Sequence, residues 1–270
     1  MYKLKLNRKM KYLRLIIMTG FLSSLFGCGQ KNNDSENISD SIIPTITKPV
    51  ENISATSDQK ERRAKSEKIC KNKGVPIYKN SNSLFVEPGN NVVLREKDEV
   101  VDRAIALVYL GLKSEGLEQI HLDKMRENYN IDSKLTEIEK EYAFAKNPTK
   151  QQQTNANWRY ESLHVLLWSL SYIDNLSYPD QMCNVADDVK IIYELGQAKF
   201  REQAKLRSKD EILDQADLIL RFDWACVSAR VKNENAPGKL NSSVVYERHY
   251  SLNWLIQFMN QDWDNVTTDT

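Results

Sequence analysis

Histidine is scarce in this chain of 270 residues: only His121, His164 and His249. Glycine is sparse too, with nine residues, and none of them gathers into a Gly-rich phosphate loop. HExxH and the GxSxG nucleophile elbow are both missing. Each absence removes a familiar route to catalysis, and no cofactor is expected. Cysteine is limited to Cys28, Cys70, Cys183 and Cys226, and no two of them form a CxxC or another zinc-ligand spacing. Long apolar runs are lacking as well. The one at residues 15–27 is shorter than the ~20 residues a helix needs to cross a bilayer.

That short run sits where an export signal would. Lys3, Lys5, Arg8, Lys9, Lys11 and Arg14 make residues 1–14 basic, and residues 15–27 are apolar. Leu25-Phe26-Gly27-Cys28 resembles the lipobox of bacterial lipoproteins, with Phe26 bulkier than the motif usually has. The resemblance implies cleavage before Cys28 and attachment of diacylglycerol to its sulfur, several acyl chains together making a durable anchor. Residues 1–28 are therefore expected to be a lipoprotein signal ending at a lipidated Cys28. The mature chain is expected in the cell envelope, anchored to a membrane and facing away from the cytoplasm. Residues 29–57, rich in Asn, Ser, Asp and Thr with Pro44 and Pro49, have too little apolar surface to offset ordering entropy and are expected to be a disordered tether. Six basic residues leave with the signal, so 32 remain against 37 acidic ones, a net charge of −5. No basic stripe is left to hold a phosphate backbone, and nucleic acid is not an expected partner. With Cys28 lipidated, Cys70, Cys183 and Cys226 remain. Outside the cytoplasm a pair could oxidise, but unpaired buried thiols are the expected state.

Residues 58–270 are expected to fold as a mainly α, multi-helix globular domain with a minor β hairpin near its start. Periodicity and caps predict helices over 58–73, 97–113, 117–129, 133–145, 153–173, 186–204, 208–233 and 242–260. Val75-Pro76-Ile77-Tyr78 is extended, and Leu84–Glu87 and Val92–Leu94 flank Pro88-Gly89-Asn90-Asn91 as a hairpin would. Ser208-x-x-Glu211 is a capping box. One internal echo stands out. Leu94–Ala104 and Leu206–Ala216 agree at seven of eleven positions, each copy leading into a helix. Duplication and a shared preference for acids in a helix's first turn both explain it.

Glu118-His121 and Glu161-His164 place a carboxylate and an imidazole on one helix face, a spacing used by di-iron carboxylate bundles. The short, polar 117–129 segment suits that fold badly, so the spacings are taken as coincidence and no metal is expected. The last third is richer. Asp217 and Arg221 stand i,i+4 and can pair; Asp223 follows. Glu247, Arg248, His249 and Asn253 lie on the last helix, and Arg159 and Glu161 open the middle one. Charges among aromatics on core-facing helices must be paired, either as a structural network or around a polar pocket. Glu247 and His249 point to different helix faces and would not act together on one atom. Asp264 and Asp269 complete the candidate set; catalytic roles are left open.

Trp158-Arg159-x-Glu161-x-Leu163, Leu206-Arg207-Ser208, Ala216-Asp217-Leu218, Arg221-x-x-Trp224-Ala225, Val244-Val245-x-Glu247-Arg248-His249, Leu252-Asn253-Trp254-Leu255 and the closing Trp263-Asp264-x-Val266-x-Thr268-Asp269-Thr270 together resemble the bacterial domain-of-unknown-function family 4272 over residues 62–270. No activity is assigned to that family, so the resemblance implies kinship without chemistry. Its members have a cytoplasmic pattern, which would make this chain a relocated, lipid-anchored form. The expected function is a membrane-anchored protein-interaction or accessory module, its protein partner unidentified. The alternative is a small-ligand binder or enzyme built on the Arg/Glu/Asp/His cluster.

Overall fold

The computed structural model describes residues 52–270. The expected signal, Cys28 and the tether up to residue 51 lie outside the described residues. Eight α-helices are present among the described residues: α1 (Ser57–Asn72), α2 (Lys97–Ser114), α3 (Gln119–Asn128), α4 (Glu137–Phe144), α5 (Lys150–Ser169), α6 (Val185–Gln203), α7 (Lys209–Val231) and α8 (Ser242–Leu255). The protein is thus mainly α-helical. The starts follow local chemistry. At Ser208 the hydroxyl accepts from Glu211 N while Glu211 accepts from Ser208 N, the reciprocal pair the sequence predicts. Thr149 and Gln152 do the same for α5, which is why it opens three residues earlier than periodicity alone predicts. Asn241 Oδ1 accepts from Ser243 N and Val244 N to open α8.

The expected hairpin is only half there. Asn91 N donates to Pro88 O (2.8 Å), so the turn forms. Its flanks are extended but are not strands among the described residues. Side chains of α1 and α7 take backbone acceptors along the segment, two of them, Val86 O and Val92 O, on its flanks. Gln59 donates to Val86 O, Arg63 to Ser83 O, and Lys209 to Gly89 O and Val92 O. Residues 84–94 are therefore a strap laid over α1 and the start of α7.

Packing runs in one line: α1 on α7, α7 on α8, α8 on α5, α5 on α2. From Val100 to Leu112 all but one residue of α2 is buried, as befits a helix apolar nearly all round. At Gly111 the helix meets α5 so closely that a Cβ would stand 2.4 Å from the nearest Tyr160 ring carbon, a clash. α6 closes the side of α2 and α5 and breaks at Gly196, whose φ of 67° only glycine adopts freely.

The internal echo becomes a repeated contact. Arg207, just before α7, donates to Trp168 O at the end of α5 and lies over the Trp168 ring, while Arg207 N donates to Ser169 O. Arg95, just before α2, donates to Trp254 O at the end of α8 and lies over the Trp254 ring, while Arg95 N donates to Leu255 O. Each echoed segment thus caps the terminal carbonyls of the other segment's partner helix. These caps end α5 and α8 at Ser169 and Leu255, four and five residues before the apolar pattern predicts. Left-handed Ser171 and Gln257 follow.

Candidate functional site

The candidate residues do not converge on one point. They resolve into separate pairs, one along a single helix and the others between neighbouring helices. Asp217 and Arg221 pair along α7 (2.7 Å), each only 1% exposed. One Arg221 Nη1 has no protein hydrogen-bond partner. Glu247 on α8 faces α5, where it accepts from Arg159 (3.1 Å) and Ser162 (2.7 Å). Arg159 also lies 4.4 Å from the Tyr250 ring centre and 5.6 Å from that of Trp263. Burial opposes the Arg159 charge, but Glu247, Tyr250 and Glu139 together outweigh it, and the guanidinium titrates above its ordinary value. Burial pushes the Tyr250 phenol up to about 12.

Arg248, next in sequence, reaches the other way round α5. Its Nε donates to Glu161 (3.3 Å) and its Nη1 to Ser177 O (2.6 Å). His249 turns to α7 and pairs through Nδ1 with Asp223 (2.8 Å). Glu247 and His249 thus serve different helices, as their spacing requires. Asn253 donates to Thr267 O, fastening the C-terminal segment, and Asp264 accepts from the Thr136 hydroxyl. Asp269 is exposed. It shares with Asp223 a cleft of about 470 Å³, also lined by Cys226, Arg230, Ser242 and Tyr246. A smaller apolar cleft of about 280 Å³ is lined by Ile69, Tyr178, Leu218, Phe222 and, at one edge, Arg248.

A further cluster escaped the sequence reading. His164 Nδ1 stands 2.9 Å from Asp188 in the first turns of α6. Cys183, two residues before α6, adds its sulfur, so that one ligand atom from each of His164, Cys183 and Asp188 lies within 4.8 Å of the others. Glu161 holds this loop in place by accepting from Cys183 N (2.5 Å). Burial, then the Glu161 and Asp188 carboxylates, pushes the Cys183 thiol well up, and burial raises Asp188 while the bond to His164 works against that. The Glu161-x-x-His164 spacing was visible in the sequence. Its partners come from an element some twenty residues on, which spacing cannot reveal. The other spacing, Glu118 and His121, lies exposed at the start of α3.

Cys70, Cys183 and Cys226 are all free thiols, and burial raises the pKa of each. No described helix is long and apolar enough to cross a membrane.

Comparison with curated proteins and with solved structures gives no match. A family model described as a domain of unknown function (DUF4272) matches residues 62–266. That span holds every paired charge described above and more than half of the chain, and the protein belongs to this family.

Proposed function

We propose that the protein is an envelope lipoprotein that works as an interaction or accessory module, held to a membrane through Cys28 and presenting the helical domain to a protein partner. The observation carrying this reading is the inward pairing of the candidate charges. Arg221 pairs with Asp217 along α7, and Arg248 with Glu161, Glu247 with Arg159 and Ser162, and His249 with Asp223 pair between core helices. Such groups set the packing of the helices and leave the outer surface to meet a partner. The anchoring half of the proposal rests on the basic and apolar leader followed by Cys28. Cys28→Ala in the native host tests it. The domain is expected to move from the detergent phase to the aqueous phase with unchanged thermal stability, and the protein's phenotype should be lost. An intact phenotype in that variant would count against a role at the membrane.

The polar cleft supports a second reading, a small-ligand binder. Asp223 opens into it beside Arg230, Tyr246 and Asp269, with His249 bonded behind Asp223. A carboxylate–imidazole pair at the foot of a cleft can exchange a proton with a bound molecule. Under this reading Asp269→Asn, at an exposed position, would abolish ligand binding without moving the melting temperature.

A further inference from the structure

We propose that His164, Cys183 and Asp188 form a binding site for a divalent transition metal of the zinc class, built where α5 meets the start of α6. This goes beyond the interaction-module reading and does not depend on it. Three different donors converge: an imidazole nitrogen, a sulfur and a carboxylate oxygen, all within 4.8 Å of one another. Bonds of about 2.0–2.3 Å set tetrahedral edges of roughly 3.3–3.8 Å, so the donors need to draw in by no more than about 1–1.5 Å to close round one ion. The donor set is itself selective. Calcium and magnesium take oxygen ligands almost exclusively, whereas a thiolate with an imidazole and a carboxylate suits a borderline ion such as zinc. Three protein ligands leave one tetrahedral position for water, and the His164 side chain, at 13% exposed, is not sealed from solvent.

The surroundings hold the donors ready. Glu161 accepts from Cys183 N with one oxygen and from Arg248 with the other. Arg248 also grips Ser177 O, so the loop between α5 and α6 is fastened at both Ser177 and Cys183. Glu161 is thereby a positioning residue, its charge balanced by Arg248. The Cys183 thiol makes a long contact to Tyr160 O (3.7 Å) and hydrogen-bonds to the Glu161 and Asp188 carboxylates, so a metal ion would take the place of its proton among these groups. On binding, the thiol proton leaves to solvent as the sulfur–metal bond forms, and the ion joins α5 to α6 across the loop.

The test uses the full mature chain, extracted in detergent, kept reduced, stripped with a chelator and titrated with cobalt(II). One cobalt per chain is expected, with a thiolate-to-cobalt charge-transfer band and the visible bands of a tetrahedral ion. Cys183→Ser should abolish the charge-transfer band. His164→Gln and Asp188→Asn should each weaken cobalt binding by about tenfold or more. Cys70→Ser and Cys226→Ser should leave both unchanged. Zinc should displace the cobalt and raise the melting temperature of the stripped protein, but not that of Cys183→Ser. Circular dichroism of the stripped variants checks folding. If Cys183→Ser fails to fold, His164→Gln, changed at a partly exposed side chain, carries the test. A titration without the thiolate band, a band that survives Cys183→Ser, or undiminished affinity in His164→Gln would overturn the proposal.

Discussion

Arg221 is among the largest wholly buried side chains in the domain, and its one acidic partner is Asp217, a helical turn away. A buried pair of this kind costs desolvation on both sides, and breaking it is worse than never having it. Arg221→Met alone leaves the Asp217 carboxylate uncompensated and is expected to lower stability by about 3–5 kcal/mol. The double change Asp217→Leu with Arg221→Met should recover most of that loss. Urea unfolding of the single and double variants reads this directly, and additive losses would refute the pairing. Asp58 presents the exposed counterpart. The Thr56 hydroxyl, the Gly89 amide and Arg62 all donate to it, and together they hold its carboxyl far below the ordinary carboxylate range. A depressed folded pKa gives stability that is present above the unfolded value near ~3.9 and lost as pH falls through the folded one. Asp58→Asn should therefore cost about 0.5–1 kcal/mol at neutral pH, solvent screening keeping the figure small. The difference from the parent should shrink steadily below the ordinary carboxylate range. A pH-independent difference would mean that the side chain acts through shape and not charge.

Between elements, the tightest approach is that of α2 and α5 at Gly111. Tyr160 is 3% exposed, and its ring edge lies where an alanine Cβ would clash. Gly111→Ala should cost about 1–3 kcal/mol despite the better helix propensity of alanine, because the ring must be pushed off its packing. A thermal melt that rises instead would show that the two helices slide apart freely. The helices themselves were legible in the sequence, because caps and 3.6-residue periodicity are local signals. Ser208 with Glu211 marked the start of α7 to the residue. The ends of α5 and α8 were not legible. Apolar residues continue past Ser169 and Leu255, but Arg207 and Arg95, brought in from distant sequence, take their terminal carbonyls. Along the expected hairpin the same kind of long-range contact is at work, Gln59 donating to Val86 O and Lys209 to Val92 O. Of the candidate site, the i,i+4 pair Asp217–Arg221 could be read from spacing. The partnerships of Glu247, Arg248 and His249 could be narrowed only to different faces, and the meeting of Cys183 and Asp188 with His164 could not be read at all.

At the scale of the whole molecule, a small set of arginines and carboxylates joins the core helices. Trp168 and Trp254 each receive an arginine from the opposite echoed segment, and Glu161 and Glu247, each seven residues earlier, join α5 and α8 through Arg248 and Arg159. On this account, function belongs to what the packed domain presents and to where the leader puts it. Native mass spectrometry of the protein, extracted in mild detergent from its own host, tests that claim most directly. The account predicts a chain that begins at Cys28, carries lipid on it and retains a bound polypeptide. A chain that keeps residues 1–27 without lipid, or a lipidated chain that carries a small organic ligand where a polypeptide is expected, would contradict it.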